Sequence, residues 1–205
     1  MIKKQTQASY GTEDQRYATR LIEKESIWWK RLIDAQAPYR WNLRRLQPGF
    51  TLEVGCGIGR NLLHLAGNSV GVDHNASSVA VARSRGCEAF TPDEFLASPF
   101  NRDARFDSLL LAHVVEHMTE SAAIQLIKDY LYALKPGGKL ILIAPQEMGY
   151  HSDPTHVQFM DLAALDRIAR AAGLEPVKGF SFPFPRLMGR LFKYNEFVTV
   201  STKPA

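Results

Sequence analysis

The sequence predicts an α/β domain built on a doubly wound sheet, and three observations carry that prediction. From residue 51 onward, short apolar runs alternate with stretches of helical spacing, and strands separated by helices pair in parallel. A glycine turn, Gly55-Cys56-Gly57-Ile58-Gly59, follows the first apolar run. Gly55, Asp73 and His113 each stand just after a run. Such a fold gathers them on one sheet edge, outside the carboxyl ends of the strands, where these sheets bind ligands.

The elements follow in order. Residues 1–15 are polar. Over 15–37, Leu21, Ile22, Trp28, Trp29, Leu32 and Ile33 recur at three- and four-residue steps, which predicts a helix. Pro38 interrupts the pattern, and Tyr39-Arg40-Trp41-Asn42-Leu43 resumes it up to Pro48-Gly49. Residues 1–48 therefore read as a helical cover or lid, and 49–205 as the main domain. The N-terminal aromatics suit either core packing or a ligand lid, and Arg16, Arg20 and Arg40 stand among them. Strand 51–54 leads through the glycine turn into a helix to about residue 66. Strand 69–73 ends in an acid. Asn75 caps a helix over 76–85. A weak strand at 87–90 and a fully apolar one at 108–112 come next. An amphipathic helix over 121–134 is closed by Lys135-Pro136-Gly137-Gly138, and a fifth strand over 139–144 is stopped by Pro145. A helix over 161–172 ends at Gly173. Two last strands, 175–182 and 196–202, flank a short helix at 186–193.

Composition narrows the classes. The chain has 205 residues, 45% hydrophobic and 22% charged, which fits one soluble domain with a full core. The net charge of +4 comes without a run of five basic residues, so charge alone argues against a nucleic-acid partner. Two cysteines, Cys56 and Cys87, make no disulfide framework. No apolar run reaches the ~18 residues of a membrane span, and residues 1–5 lead into polar sequence rather than a signal peptide. The expectation is a cytoplasmic protein, a monomer or a homodimer, that does not engage a membrane.

The glycine turn is a nucleotide-type site. Glycines let the backbone turn tightly against a ligand, and the helix that follows aims free N–H groups at it. The spacing is G-x-G-x-G rather than the dinucleotide G-x-G-x-x-G. Glu53, two residues earlier, would repel a pyrophosphate but suits a cationic ligand with amino and hydroxyl groups. Asp73 suits the two hydroxyls of a ribose.

These residues resemble an ordered set of motifs. Glu53-Val54-Gly55-Cys56-Gly57-Ile58-Gly59, Gly71-Val72-Asp73, Phe106-Asp107-Ser108-Leu109-Leu110 and Leu134-Lys135-Pro136-Gly137-Gly138-Lys139-Leu140 are similar, in order and spacing, to those of class I S-adenosylmethionine-dependent methyltransferases. The resemblance covers roughly residues 36 to 202. It implies a Rossmann-like, doubly wound, seven-stranded sheet, mostly parallel with an antiparallel last strand. It also implies that Glu53, Gly55, Gly57 and Asp73 line the cofactor site, and Cys56, Gly59, His74 and His113 are further candidates there. Many members carry a Gly-Asp pair after the third strand for the adenine. Here Thr91-Pro92-Asp93-Glu94 stands there, and the contact carries over to Asp93. The segment Ala37-Pro38-Tyr39-Arg40-Trp41-Asn42 resembles the ubiquinone-pathway O-methyltransferases, which implies that Arg40 pairs with the methionine carboxylate; a plain surface arginine is the other reading.

A second constellation lies on the same edge. His113-Val114-Val115-Glu116-His117 follows the fourth strand, and His151-Ser152-Asp153-Pro154-Thr155-His156 follows the fifth. If the first segment is helical, His113, Glu116 and His117 share a face. Three readings stay open. Glu116 and His117 brace the chain while His113 packs beside the cofactor. Alternatively, Glu116, His117, His156 and His113 hold a divalent metal. The pattern resembles the ligand set of small-RNA 2′-O-methyltransferases, with His113 in place of a Glu, and its imidazoles suit Zn, Mn or Fe better than Mg. In the third, His-x-x-Glu-His is the inverted zinc-peptidase motif, which leaves the glycine turn unexplained.

The expected function is methyl transfer to a small molecule at oxygen. A sulfonium methyl is already activated, and an oxygen acceptor needs its proton removed by an imidazole or acidified by a metal. His156, His117 and His113 are the candidate catalytic residues. N-methylation and a cofactor-binding scaffold are the alternatives. The segment Phe180-Ser181-Phe182-Pro183-Phe184-Pro185 suits an apolar lid or ordinary core and turn sequence.

Overall fold

The computed structural model describes Asp34 and residues 36–205. The helix expected over 15–37, with Trp28, Trp29, Arg16 and Arg20, lies outside the described residues apart from its last few positions.

Seven strands form one sheet: β1 (Thr51–Val54), β2 (Ser69–Val72), β3 (Ala89–Phe90), β4 (Phe106–Ala112), β5 (Leu134–Pro145), β6 (Glu175–Phe182) and β7 (Glu196–Thr202). Their order is β3-β2-β1-β4-β5-β7-β6. The first five pair in parallel. β7 runs antiparallel to both of its neighbours. The seven strands and the antiparallel last strand match the expectation. The order reverses between β1 and β4, which places the switch point of the fold beside Gly55 and His113.

Period-2 alternation divides the core. Leu109 and Leu111 of β4 face one layer, with Ala123 and Ile127 of α5 (Glu120–Tyr130) and Leu165 and Ile168 of α7 (Leu162–Ala171). Leu110 and Ala112 face the other, with Ile141, Val198, and Leu43 and Leu46 of α1 (Ala37–Arg45). Pro38 sits in the first turn of α1, where its missing N–H costs nothing. The remaining helices are α2 (Arg60–His64), α3 (Ala76–Ser84), α4 (Pro92–Leu96) and α6 (Glu147–Tyr150). Asn75 caps α3 as expected, its side chain accepting from the Ser78 N–H at 3.1 Å. No helix among the described residues is long and apolar enough to cross a membrane.

Several boundaries differ from expectation for physical reasons. α2 stops at His64 because Ala66 and Gly67 turn left-handed. The helix expected over 121–134 is α5 followed by a 3-10 turn, Leu131–Ala133. The Lys135–Gly138 turn belongs to β5, because Gly137 and Gly138 exchange backbone hydrogen bonds of 2.9 Å with Lys203. The segment after β4 is not an α-helix. His113 is left-handed at φ 59°, and only Val115–His117 coil, as a 3-10 turn. His113 therefore leaves the shared helical face expected for it. Two helices arise where none was expected. α4 carries a capping box, with Thr91 and Glu94 bonding each other's backbone N–H. α6 is a single turn after β5.

Candidate functional site

The sheet edge holds two adjoining groups of polar side chains. The first surrounds the glycine turn. Gly55, Gly57 and Gly59 have φ of 80°, 51° and 80°, so all three occupy the left-handed region that side chains avoid. A Cβ on Gly59 would lie 3.0 Å from the Cβ of Ala82 and 3.1 Å from the Cys87 sulfur, so this glycine lets the turn pack on α3. Asp73 ties the turn to β2. Its Oδ2 accepts from the Gly57 N–H at 2.7 Å and its Oδ1 from the Asn75 N–H at 2.8 Å. Each oxygen keeps a second lone pair for a ligand hydroxyl. His74 is half exposed, its Nδ1 3.7 Å from Asp73 Oδ1. Cys56 is buried, and burial pushes its thiol pKa far up, so it is an inert small side chain.

Glu53 is buried at the end of β1. Its Oε1 accepts from Asn61 Nδ2 at 2.7 Å, while its Oε2 has no hydrogen-bond partner. Burial pushes its pKa up to about 8, and the Asn61 hydrogen bond offsets this only in part. The folded protein thus holds this proton more tightly than the unfolded chain. The stability so conferred is present below the ordinary value of 4.5 and is lost as pH rises through about 8. Glu53→Gln is expected to flatten the fall in melting temperature of the ligand-free protein between about pH 5 and 8. Thermal melts across that range check it, and parallel curves for both proteins would remove the assignment.

Asp93 and Arg40 are also expected at this group. Asp93 is exposed in the first turn of α4. Arg40 is held on α1 by Asp34 at 2.5 Å.

The second group joins the 3-10 turn after β4 to the loop after β5. The Glu116 carbonyl accepts from the N–H groups of Val157 and Gln158 at 2.8 and 3.2 Å. That clamp brings His156 to His117, with ring centroids 4.8 Å apart. Ligand atoms of Glu116, His117 and His156 all lie within 4.8 Å of one another. His156 Nδ1 donates to the Tyr150 carbonyl at 2.6 Å, and His117 Nδ1 donates to the Thr155 carbonyl at 3.2 Å. A carbonyl only accepts, so each Nδ1 carries the proton and each Nε2 offers a lone pair. The Tyr150 ring stacks on His156 at 18°. Burial holds the His117 pKa below its ordinary value, with the nearby His156 acting in the same direction. Glu116 is fully buried, and neither of its oxygens takes a hydrogen bond.

His113 is not among the ligand atoms of Glu116, His117 and His156 that lie together. Its Nδ1 lies 3.3 Å from Glu116 Oε1 and its Nε2 2.9 Å from Glu196 Oε1. Burial opposes its charged form, but the two carboxylates beside it, Glu116 and Glu196, outweigh burial and raise the pKa to about 10. Both nitrogens thus face carboxylates. Sequence reasoning missed Glu196, Tyr150 and Thr155. Glu196 arrives from β7, and only the antiparallel insertion of that strand beside β5 brings it here.

A family model described as a methyltransferase domain matches residues 52–142. The chain is 37% identical over 141 residues to the probable tRNA methyltransferase 9B of Bos taurus, covering 62% of this chain and 30% of that protein. It thus spans less than a third of the length of that relative. Its fold is similar to a S-adenosylmethionine-dependent methyltransferase from Archaeoglobus fulgidus, with a TM-score of 0.65 at 20% identity over 86% of this chain and 98% of the other. It is also similar to the methyltransferase solved with the Haloferax volcanii Trm112 activator, with a TM-score of 0.66 at 17% identity over 93% and 97% of the two chains.

Proposed function

We propose that the chain is a class I S-adenosylmethionine-dependent methyltransferase, a reading supported by the methyltransferase-domain match over residues 52–142, and that it methylates an oxygen of a small-molecule acceptor held against Glu116, His117 and His156. The observation that carries this reading is the pair of imidazoles whose Nδ1 protons are committed to backbone carbonyls, leaving both Nε2 lone pairs beside a buried carboxylate.

The first group fits the cofactor. The unpartnered Glu53 Oε2 is a buried acceptor that suits an ammonium group, and Asp73 is anchored with lone pairs to spare for ribose hydroxyls. Asp93 remains the candidate for the adenine, and Arg40 for the methionine carboxylate. When bound, S-adenosylmethionine supplies the activated methyl. The protein's part is to orient the acceptor in line with it, exclude water and take the acceptor's proton. His156 Nε2 is the first candidate base and His117 Nε2 the second; His113 acts through Glu116.

A divalent cation is a further element of this proposal. Two imidazoles and one carboxylate suit Zn, Mn or Fe better than Mg. Such an ion would acidify an acceptor hydroxyl. The carbonyl partners on both Nδ1 atoms resemble the supports that metal-binding histidines receive.

A nucleic-acid acceptor is the second reading, supported by the likeness to tRNA methyltransferase 9B. One experiment separates the arms. The protein is supplied with labelled S-adenosylmethionine and either a panel of hydroxylated small molecules or a tRNA transcript. Label on small-molecule oxygen is the expected result, and label on tRNA alone, or on nitrogen, would overturn it. EDTA should lower turnover if the cation takes part. Metal-free protein with undiminished turnover would leave His156 as base and remove the cation.

A further inference from the structure

The outer face of α1 carries cations around one exposed indole. Pro38, Trp41, Arg44 and Arg45 recur at helical spacing and are exposed, while Asn42 and Leu43 are buried. Trp41 is 57% exposed. Over residues 36–72 the chain holds four arginines, at 40, 44, 45 and 60, and a single acid, the buried Glu53. Beside α1 lies β6, the edge strand of the sheet. Phe180 and Phe182 of β6 pack in the layer of α1. Alternation puts Lys178, which is exposed, on the same face of the strand.

This face is ordered. Arg45 Nε donates to Oδ1 of the buried Asn42 at 3.0 Å. So held, its guanidinium lies 4.6 Å from the centroid of the Trp41 ring and 4.9 Å from that of Phe180. The Trp41 ring also runs at 28° to Phe182, with centroids 6.4 Å apart. Arg44 Nε donates to the His64 carbonyl at 2.8 Å. Arg40 is paired with Asp34, but among the described residues no carboxylate pairs with Arg44, Arg45 or Lys178.

An indole backed by a guanidinium and rimmed by cations without counter-charges has the chemistry of a stacking platform, on which a base lies flat while the cations take phosphates. We propose that this face binds a single-stranded nucleic acid, with a base stacked on Trp41 and backbone phosphates against Arg44, Arg45 and Lys178. A membrane suits the face less well. An interfacial helix lays down a continuous apolar stripe, and Trp41 is the one large apolar side chain exposed on this nine-residue helix. The net charge of +4 does not reveal the face, because acids elsewhere in the chain offset these cations. Binding here is separate from methyl transfer, so the proposal holds whichever acceptor is methylated.

Anisotropy of a labelled, mixed-sequence, single-stranded RNA of about 12 nucleotides tests it on the full chain. The RNA is expected to bind with a Kd of about 1–100 μM at physiological salt, and more tightly as salt is lowered. Trp41→Ala should weaken binding about 5- to 150-fold, the range for losing one stacked base, and Trp41→Phe should restore most of it. Lys178→Gln should reduce the slope of log K against log salt by about 0.7, the share of one phosphate contact. Neither residue belongs to the proposed cofactor group or to the imidazole group, so S-adenosylhomocysteine affinity, measured by calorimetry, should be unchanged and serves as the check on folding. Should Trp41→Ala lose that affinity, the salt slope of Lys178→Gln decides. No RNA binding in that range would overturn the proposal, and so would RNA binding that the substitutions at Trp41 and Lys178 leave unmoved. Co-sedimentation with phosphatidylserine vesicles tests the rival occupant. Vesicle binding that needs Trp41, without RNA binding, would assign the face to an anionic membrane. Methyl transfer is not measured, so failure of the acceptor assignment and failure of this face are told apart.

Discussion

Asp73→Ala is expected to weaken S-adenosylhomocysteine binding by two orders of magnitude or more. A carboxylate accepting from two ribose hydroxyls makes two charge-assisted hydrogen bonds, each worth about 1.5–3 kcal/mol. Together they amount to roughly 3–6 kcal/mol, or about 10²- to 10⁴-fold in Kd. The same substitution strips the Gly57 and Asn75 N–H groups of their acceptor, so part of the loss comes from a turn that is no longer held. Asp73→Asn separates the two contributions. Its carbonyl oxygen still accepts from one of those N–H groups, while the charge is gone. Calorimetry should rank wild type, Asn and Ala in descending affinity, and melting temperature should fall more for Ala than for Asn. Unchanged affinity in Asp73→Ala would remove the ribose assignment.

Sequence and structure agree most closely where the signal is local. The glycine turn, Asp73 and the Asn75 cap are set by residues within a few positions of one another, and backbone conformation there follows from side-chain size and hydrogen bonding. The alternation of apolar runs also carried the sheet, because residues 109–112 of β4 and 140–144 of β5 are buried on both faces and read as unbroken hydrophobic stretches. The antiparallel last strand came from the motif resemblance and not from the pattern itself. The capping box of α4 was written in Thr91 and Glu94, but the segment reads first as a substitute for a cofactor motif. What the sequence concealed is non-local. Nothing around Glu196 signals that it faces His113, since 83 residues separate them and strand insertion alone joins them. The 3-10 turn at Val115–His117 was concealed for a related reason. His113 is held in a left-handed conformation by its N–H bond to the Ile143 carbonyl, a contact from the neighbouring strand that helical periodicity does not encode.

That turn leads to the second large effect, at Glu116. A fully buried carboxylate with no hydrogen bond to either oxygen is costly, because desolvation of an ion takes several kcal/mol even after relaxation. Its described counter-charge is His113 at 3.3 Å, and His113 has a second acceptor in Glu196 at 2.9 Å. Replacing Glu116 with glutamine removes the buried charge, keeps the volume and leaves His113 engaged by Glu196. The ligand-free protein should therefore unfold at or above the wild-type temperature. Catalysis should respond in the opposite sense. If Glu116 orients the imidazole pair or completes a cation site, turnover of whichever acceptor is accepted should fall about 10²- to 10⁴-fold, the range for losing a positioned proton-transfer group. S-adenosylhomocysteine affinity should stay at the wild-type value, since the proposed cofactor group lies around Glu53 and Asp73. His156→Ala should reproduce the loss of turnover without the gain in stability, because its Nδ1 bond to Tyr150 is lost with the ring. A residue that merely braced the fold would behave otherwise: Glu116→Gln would melt early and lose activity only in proportion to the unfolded fraction. Stability held or raised while turnover collapses is the combination that marks a carboxylate kept for chemistry at the expense of the fold.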